Sequence, residues 1–233
     1  IITCVKDADA VKEVLFGNDG ITSGKYTEIS VADMSTINPT SAQEISKKLH
    51  TMKIKSLEIP VMGGPNVAIN GGLVLMASGD KELFETHQKI FKTIANKIFF
   101  LGESGSAHTI KLAMNMQISL LALSLSEGII LMKKAGIEPE KFLEILNSTY
   151  FGTGMSEKKA YKMIKNEYEP TFTLKNLKKD LDIITKTAKD FDAVLPITER
   201  ANKIYDDALA AGFGELDYTG VLAYIEKISR TKD

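Results

Sequence analysis

The chain has 233 residues, with 29 Lys and Arg against 30 Asp and Glu, 44% hydrophobic residues, one cysteine and no tryptophan. That length admits one large domain or two modest ones, each with a real core. A formal charge of -1 leaves no electrostatic case for binding nucleic acid or an anionic membrane surface, and the single Cys4 excludes an internal disulfide. The longest apolar-rich run, Leu112 to Met132, is interrupted by Asn115, Gln117, Ser119, Ser124, Ser126 and Glu127, which argues against a membrane span. No basic segment precedes an apolar signal stretch, so the expectation is a soluble cytoplasmic protein. The chain opens at Ile1, inside a strand-like run, and this end is expected to be processed, truncated or unobserved.

In chain order, strand-like runs fall at 1–5, 27–33, 56–60, 72–78 and 97–101, with amphipathic helical segments at 7–16, 39–50 and 81–95. Asn38-Pro39 marks a helix start, a capping side chain followed by a residue whose fixed φ suits the first helical position. Strands interleaved with helices predict an α/β layer around a mostly parallel sheet. The second half holds no convincing strand. One long helix is expected over 106–135, ended by Gly136 in a left-handed cap, then helices at 139–147, 156–166, 174–190, 196–211 and 218–229. The long helix is apolar around most of its circumference, as a helix buried on several sides would be. The expected division is an α/β domain over 1–104 and an all-helical domain over 105–233.

Four places could carry chemistry. The run 33–39 ends a strand and begins a helix, and Ser35 and Thr36 put two hydroxyls where open α/β sheets bind ligands; an ordinary helix cap reads the same way. Gly63 and Gly64, with Gly71 and Gly72 beyond, make a turn whose backbone could approach a carboxylate, or simply a wide loop. Lys111 and Asn115 lie four residues apart on the long helix, hence on one face, and both interrupt an apolar stretch. Lys178, Lys179 and Asp180 follow Phe172 on a later helix, where a solvated charged face is the plainer reading. His50, His87 and His108 share no metal-ligand spacing, so no metal site is expected, and no G-x-S-x-G elbow is present.

Taken together and in order, these pieces resemble the β-hydroxyacid dehydrogenase family: the 3-hydroxyisobutyrate dehydrogenases and tartronate or glyoxylate semialdehyde reductases, relatives of 6-phosphogluconate dehydrogenase. The resemblance rests on Thr3 to Asp7, on Asp33 to Pro39, and on the Gly63-Gly64-Pro65 turn with Ala68 and Gly71. It continues through Gly102 and Gly105 with Lys111 and Asn115, and ends with Phe172 and Lys179-Asp180-Leu181. It implies a Rossmann-like domain binding NAD or NADP, then a helical domain that packs against a second copy in a homodimer or homotetramer. Lys111 matches the family's catalytic lysine. Ser35, Met62, Gly63, Gly64, Asn115 and Phe172 match positions that hold a small carboxylate substrate, and Val5, Lys6, Thr36 and Lys179 match positions near the cofactor.

Two departures stand out. The family's N-terminal G-x-G-x-x-G strand, turn and helix is missing, and roughly sixty residues would have to precede Ile1 to supply it. Many members carry serine where this chain has Met62, which removes a donor to the substrate carboxylate and implies a shifted substrate preference. The implied activity is hydride transfer between a nicotinamide and a small 3-hydroxy acid or semialdehyde, with Lys111 as general acid and base. The alternatives are a cofactor-less helical dimerisation or scaffold protein of the same fold, or an imine reductase.

Overall fold

The computed structural model describes residues 1–24 and 28–230, in two compact units, Ile1–Met114 and Asn115–Asp233. The expected start of the second strand, Thr27, lies outside the described residues.

The first unit begins with β1 (Ile2–Thr3), α1 (Ala8–Phe16), β2 (Ser30–Asp33), α2 (Pro39–Thr51) and β3 (Lys55–Glu58). It continues through β4 (Val61–Met62), α3 (Pro65–Ala68), β5 (Leu73–Gly79), α4 (Lys81–Thr86), α5 (Gln88–Ile94) and β6 (Ala95–Phe100). Helix starts follow the local chemistry: Asp7 accepts from the Ala10 amide and Asn38 from the Ser41 amide, with Pro39 in the first turn.

The six strands form one sheet in the order β1-β2-β3-β5-β4, with β6 also on β5. β1/β2, β2/β3 and β5/β6 are parallel, whereas β5 runs antiparallel to β3 and to β4. The sheet is therefore mixed, and the two-residue strand β4 was hidden in the sequence by its brevity. Neighbouring residues on β2 point to opposite faces. Val31 packs with Val11 and Leu15 of α1 and Ile45 and Leu49 of α2, while Ala32 packs with Leu83, Phe84 and Phe91 of α4 and α5. Helices thus cover both faces.

The helix expected over 81–95 is two. At His87 the backbone leaves helical geometry (φ -102°, ψ 14°) and the ring Nδ1 sits 3.0 Å from the Leu83 carbonyl oxygen. Ala95 then already belongs to β6.

Helix α6 (Ser106–Lys134) is continuous, and the division between units falls inside it. The expected boundary at 104/105 lies just before the helix begins at Ser106. By length and composition α6 could cross a membrane. It ends at Gly136 (φ +71°), where the Ile137 amide returns to the Met132 carbonyl.

The second unit continues with α7 (Pro139–Asn147), α8 (Gly154–Lys158), α9 (Ala160–Ile164), α10 (Leu174–Asp190), α11 (Pro196–Ala208) and α12 (Val221–Arg230). The helix expected over 156–166 is split at Lys159, and the one expected over 196–211 ends in a wide turn, Leu209–Phe213, opened by Gly212 at φ 94°. Its core gathers Leu125, Ile129, Leu143, Met163 and Leu222. On α10, Leu174, Leu177, Leu181 and Ile184 recur at helical spacing and are all buried.

Ile129 is fully buried. Ile129→Ala is expected to destabilise the helical unit by about 2–5 kcal/mol, read as a lower urea midpoint at unchanged slope.

Candidate active site

In the sheet unit the carboxyl ends of β1 and β2 are tied together by one buried acid. Asp33 Oδ1 accepts from Thr3 Oγ1 and from Ser35 Oγ, both at 2.7 Å, and Ser35 Oγ accepts from the Val5 amide at 2.9 Å. The loops carrying Val5 and Thr36 are therefore braced side by side at the edge where parallel strands take ligands. Ser35 is buried and its hydroxyl is engaged on both sides; Thr36 is half-buried, and Lys6 is exposed beside Asp7. Burial pushes the Asp33 carboxyl up from its ordinary value, against the lowering effect of the Thr3 and Ser35 bonds.

The double-glycine turn follows β4. Gly63 has φ +133°, and a Cβ there would lie 2.6 Å from Leu73 Cδ2, so only glycine fits. Gly64 is exposed and leads into α3. Lys111 reaches this turn: its ammonium donates to the Val61 carbonyl oxygen at 2.8 Å and lies 3.1 Å from Met62 Sδ. Within the sheet unit the lysine and the Val61–Met62 segment thus come together.

Beneath them lies a buried polar cluster that the sequence reading passed over. Glu58, at the end of β3, accepts from Ser78 Oγ at 2.8 Å, from Ser104 Oγ, and from the Gly105 amide on both oxygens at 2.8 and 2.9 Å. His108 Nε2 lies 3.9 Å from Glu58 Oε2. A cavity of about 20 Å³, lined by Asp33, Glu58, Ser78, Ser104 and His108 among others, is the size of one water. Burial raises the Glu58 carboxyl, the Ser104, Ser78 and Gly105 bonds oppose this, and the charge of Asp33 adds to it. Burial also lowers His108 to about 4, so its imidazole is neutral near pH 7. An acid on the inward face of a strand just before Pro60 was the available signal for Glu58; nothing local announces His108.

In the helical unit, Asn115 is buried and its Nδ2 donates to Asp180 Oδ2 at 2.6 Å. Lys179 Nζ lies 3.0 Å from Asp180 Oδ1, so one buried carboxylate on α10 orients both the predicted amide and the predicted ammonium. Asp180 was part of the motif but not among the predicted site residues. Phe172 is half-buried, edge-on to Tyr218 at 6.2 Å between ring centroids. Its segment is held by Asp217, which accepts from the Thr171 amide and hydroxyl and pairs with Lys159 through both oxygens at 2.9 Å. Among the described residues no group of three or more His, Cys, Asp or Glu side chains could hold a metal ion.

Comparison with known proteins shows the family and the fold. Residues 1–102 match the family described as the NAD binding domain of 6-phosphogluconate dehydrogenase, and residues 105–225 match the NAD-binding domain of NADP-dependent 3-hydroxyisobutyrate dehydrogenase. The chain is 30% identical over 219 residues to the cytokine-like nuclear factor N-PAC of Aedes aegypti, covering 94% of this chain but only 39% of that protein. It is 28% identical over 232 residues to 2-hydroxy-3-oxopropionate reductase of Escherichia coli K12, covering 100% of this chain and 80% of the relative. Glyoxylate/succinic semialdehyde reductase 1 of Arabidopsis thaliana is 29% identical, with 98% and 79% covered. A solved 3-hydroxyisobutyrate dehydrogenase from Salmonella typhimurium superposes with a TM-score of 0.86 at 25% identity, covering 96% of this chain and 78% of that one. The cofactor that goes with these families is NAD or NADP.

The neutral, buried His108 makes stability depend on pH with a definite sign. Between about 6.5 and about 4 the unfolded chain takes up a proton that the folded imidazole refuses, so stability falls as pH drops through that window. The total is on the order of 3 kcal/mol, since each pKa unit is worth about 1.4 kcal/mol. Asp33 and Glu58, whose values are raised, act in the opposite sense, losing stability as pH rises through them. The difference in urea stability between wild type and His108→Phe, followed against pH, isolates the histidine and is expected to change across that window only.

Proposed function

We infer the function from one premise: this chain belongs to the β-hydroxyacid dehydrogenase family. On that basis the whole protein is an NAD(P)-dependent oxidoreductase of the cytoplasm that interconverts a small 3-hydroxy acid and the corresponding semialdehyde. The observation that carries the reading is the Lys111 ammonium, held 2.8 Å from the Val61 carbonyl oxygen at the head of the double-glycine turn. When bound, the nicotinamide supplies or accepts the hydride.

The residues present suit that cofactor's reactive end. The Val5 and Thr36 loops are braced at the carboxyl edge of parallel strands by the Val5–Ser35 bond. In the reducing direction the carbonyl carbon gains a hydride, the π electrons move to oxygen, and Lys111 delivers its proton there, leaving an alcohol and a neutral amine. In the oxidising direction the neutral amine removes the hydroxyl proton. A cation at the oxygen also stabilises the charge that develops as the carbonyl opens. Asn115, whose amide nitrogen is fixed by Asp180, takes the substrate-holding role that the family pattern gives it. The Gly63 and Gly64 amides serve the substrate carboxylate. Met62 brings a thioether where a hydroxyl would donate, which favours substrates with a more apolar substituent.

Lys111→Met in the full-length protein is expected to slow single-turnover hydride transfer by about 10²–10⁴ while leaving the circular dichroism spectrum unchanged. Near-normal transfer would remove Lys111 from the role. A panel of small hydroxy acids and semialdehydes, followed by nicotinamide absorbance, identifies the substrate. The N-PAC relatives carry the name of a nuclear factor, and a cofactor-less scaffold of the same fold is the alternative reading. Absence of cofactor binding and of turnover with every member of the panel would establish it.

The helical unit exposes Leu131 (64%), Ile145 (60%), Tyr150 and Phe151, more large apolar surface than a lone domain usually leaves uncovered. A homodimer or homotetramer covers it. Light scattering at micromolar concentration is expected to give a multiple of the chain mass, and a clean monomer would contradict this.

A further inference from the structure

We propose that Glu58 is the positioning residue for Lys111, clamping the start of α6 to the same stretch of backbone that receives the ammonium. The idea deepens the reading of Lys111 as proton donor and rests on it for its functional consequence.

Two attachments join one strand segment to one helix. At the first, Glu58 grips the Ser104 hydroxyl and the Gly105 amide. At the second, Val61 accepts from Lys111. Three extended residues span about 10 Å, and six helical residues from 105 to 111 rise about 9 Å, so the two attachments keep register along both elements. A rigid helix displaced at its first turn carries its lysine with it.

The grip is specific to a carboxylate. Ser78 Oγ donates to Glu58 Oε2 and accepts from the Ala107 amide at 3.2 Å, while the Gly105 amide is shared by both carboxylate oxygens. Ser78, Ser104 and Gly105 all donate to Glu58, and the Gly105 amide cannot turn around. Negative charge at the amino end of a helix also matches its dipole. A helix cap alone does not need this: a Ser or Asn side chain caps a helix without placing a charge out of water. Glu58 is nonetheless only 6% exposed.

The seat is fixed from the other side too. Gly105 has φ +95°, and a Cβ there would lie 2.8 Å from Gln43 Nε2, which itself donates to the Ser104 carbonyl. The loop that presents Ser104 and Gly105 to Glu58 is thus held independently of Lys111.

The test uses the full-length protein and two readouts. The first is the rate at which acetic anhydride modifies Lys111, relative to the exposed Lys53, measured by mass spectrometry; it needs no enzyme activity. The second is single-turnover hydride transfer. Glu58→Gln keeps the shape but turns one acceptor into a donor. It is expected to raise relative Lys111 modification roughly fivefold, the worth of one hydrogen bond no longer held shut. Hydride transfer is expected to fall by up to about 10²-fold, the consequence of an ångström of misplacement, with cofactor affinity unchanged. Glu58→Asp, which keeps the charge and both oxygens, is expected to recover part of both. Should Glu58→Gln fail to fold, Ser78→Ala carries the test, with a smaller shift in the same direction. Unchanged Lys111 modification in folded Glu58→Gln or Ser78→Ala protein overturns the proposal, whatever happens to turnover. A wild-type protein with no hydride transfer, but whose Lys111 is unmasked by Glu58→Gln, supports the positioning and sinks the dehydrogenase reading instead.

Discussion

Two carboxylates that the fold must bury constrain the sheet unit. Asp33 and Glu58 are register partners on the parallel strands β2 and β3, and both side chains are buried. Like charges placed directly opposite destabilise a sheet, and burial disfavours ionisation of each. The chain answers with hydroxyls and amides from strand ends and nearby loops: Thr3 and Ser35 at Asp33, Ser78, Ser104 and Gly105 at Glu58. Those same loops carry Val5 and Thr36 on one side and lead into α6 and Lys111 on the other. The residues that hold these two buried acids are therefore also the ones that shape the candidate site, although Asp33 Oδ2 itself has no hydrogen-bond partner among the described residues.

The helical unit solves the same problem with cations added. Burial acts to raise Asp217, but the hydrogen bonds and charge of Lys159, with Thr171 and Thr219, carry it below the ordinary carboxylate range. The Lys159 ammonium also sits 4.2 Å from the centre of the Tyr218 ring, which in turn meets Phe172. Asp217 thus pins the segment 168–174 to the turn before α12 and sets where α10 begins. A turn and a half into that helix, Asp180 repeats the pattern with Asn115 and Lys179. In each unit a buried acid fixes loop ends, and the predicted ligand-facing residues are attached to those ends.

What was legible in the sequence was local. Asn38-Pro39, Gly136 and the spacing of Leu174, Leu177, Leu181 and Ile184 announced helix starts, a stop and a buried face, because each acts within a turn or two of itself. The breaks at His87 and Lys159 were not legible, since the apolar spacing continues across them while the backbone departs. Strand β4 is two residues long and exists through its pairing with β5, a partner more than ten residues on. Lys111 was legible as a polar interruption of an apolar helix and through the family pattern. Glu58 was not, because its partners come from 20 to 47 positions away in sequence and only the folded sheet gathers them. Ser35 shows the converse: the motif marks the residue, but only the structure reveals that its hydroxyl serves Val5 and Asp33.

The apolar length of α6 has a physical explanation within this fold. A helix of 29 residues with few charges satisfies the arithmetic for crossing a bilayer. Its polar residues nevertheless find partners within the protein. Asn115 is bonded to a buried carboxylate, Lys111 to a backbone carbonyl of the sheet unit, and the Ser119 carbonyl accepts from Tyr205. Each contact lies within the unit that holds the helix residue making it. Ala107, Leu112, Ala122, Leu123, Leu125 and Ile129 are all buried, and Leu125 and Ile129 belong to the core of the helical unit. A helix buried on several sides must be apolar on more than one of them. Leu131, left exposed near its end, lies beyond what either core covers, and an apolar surface of that kind is suited to burial against another protein chain.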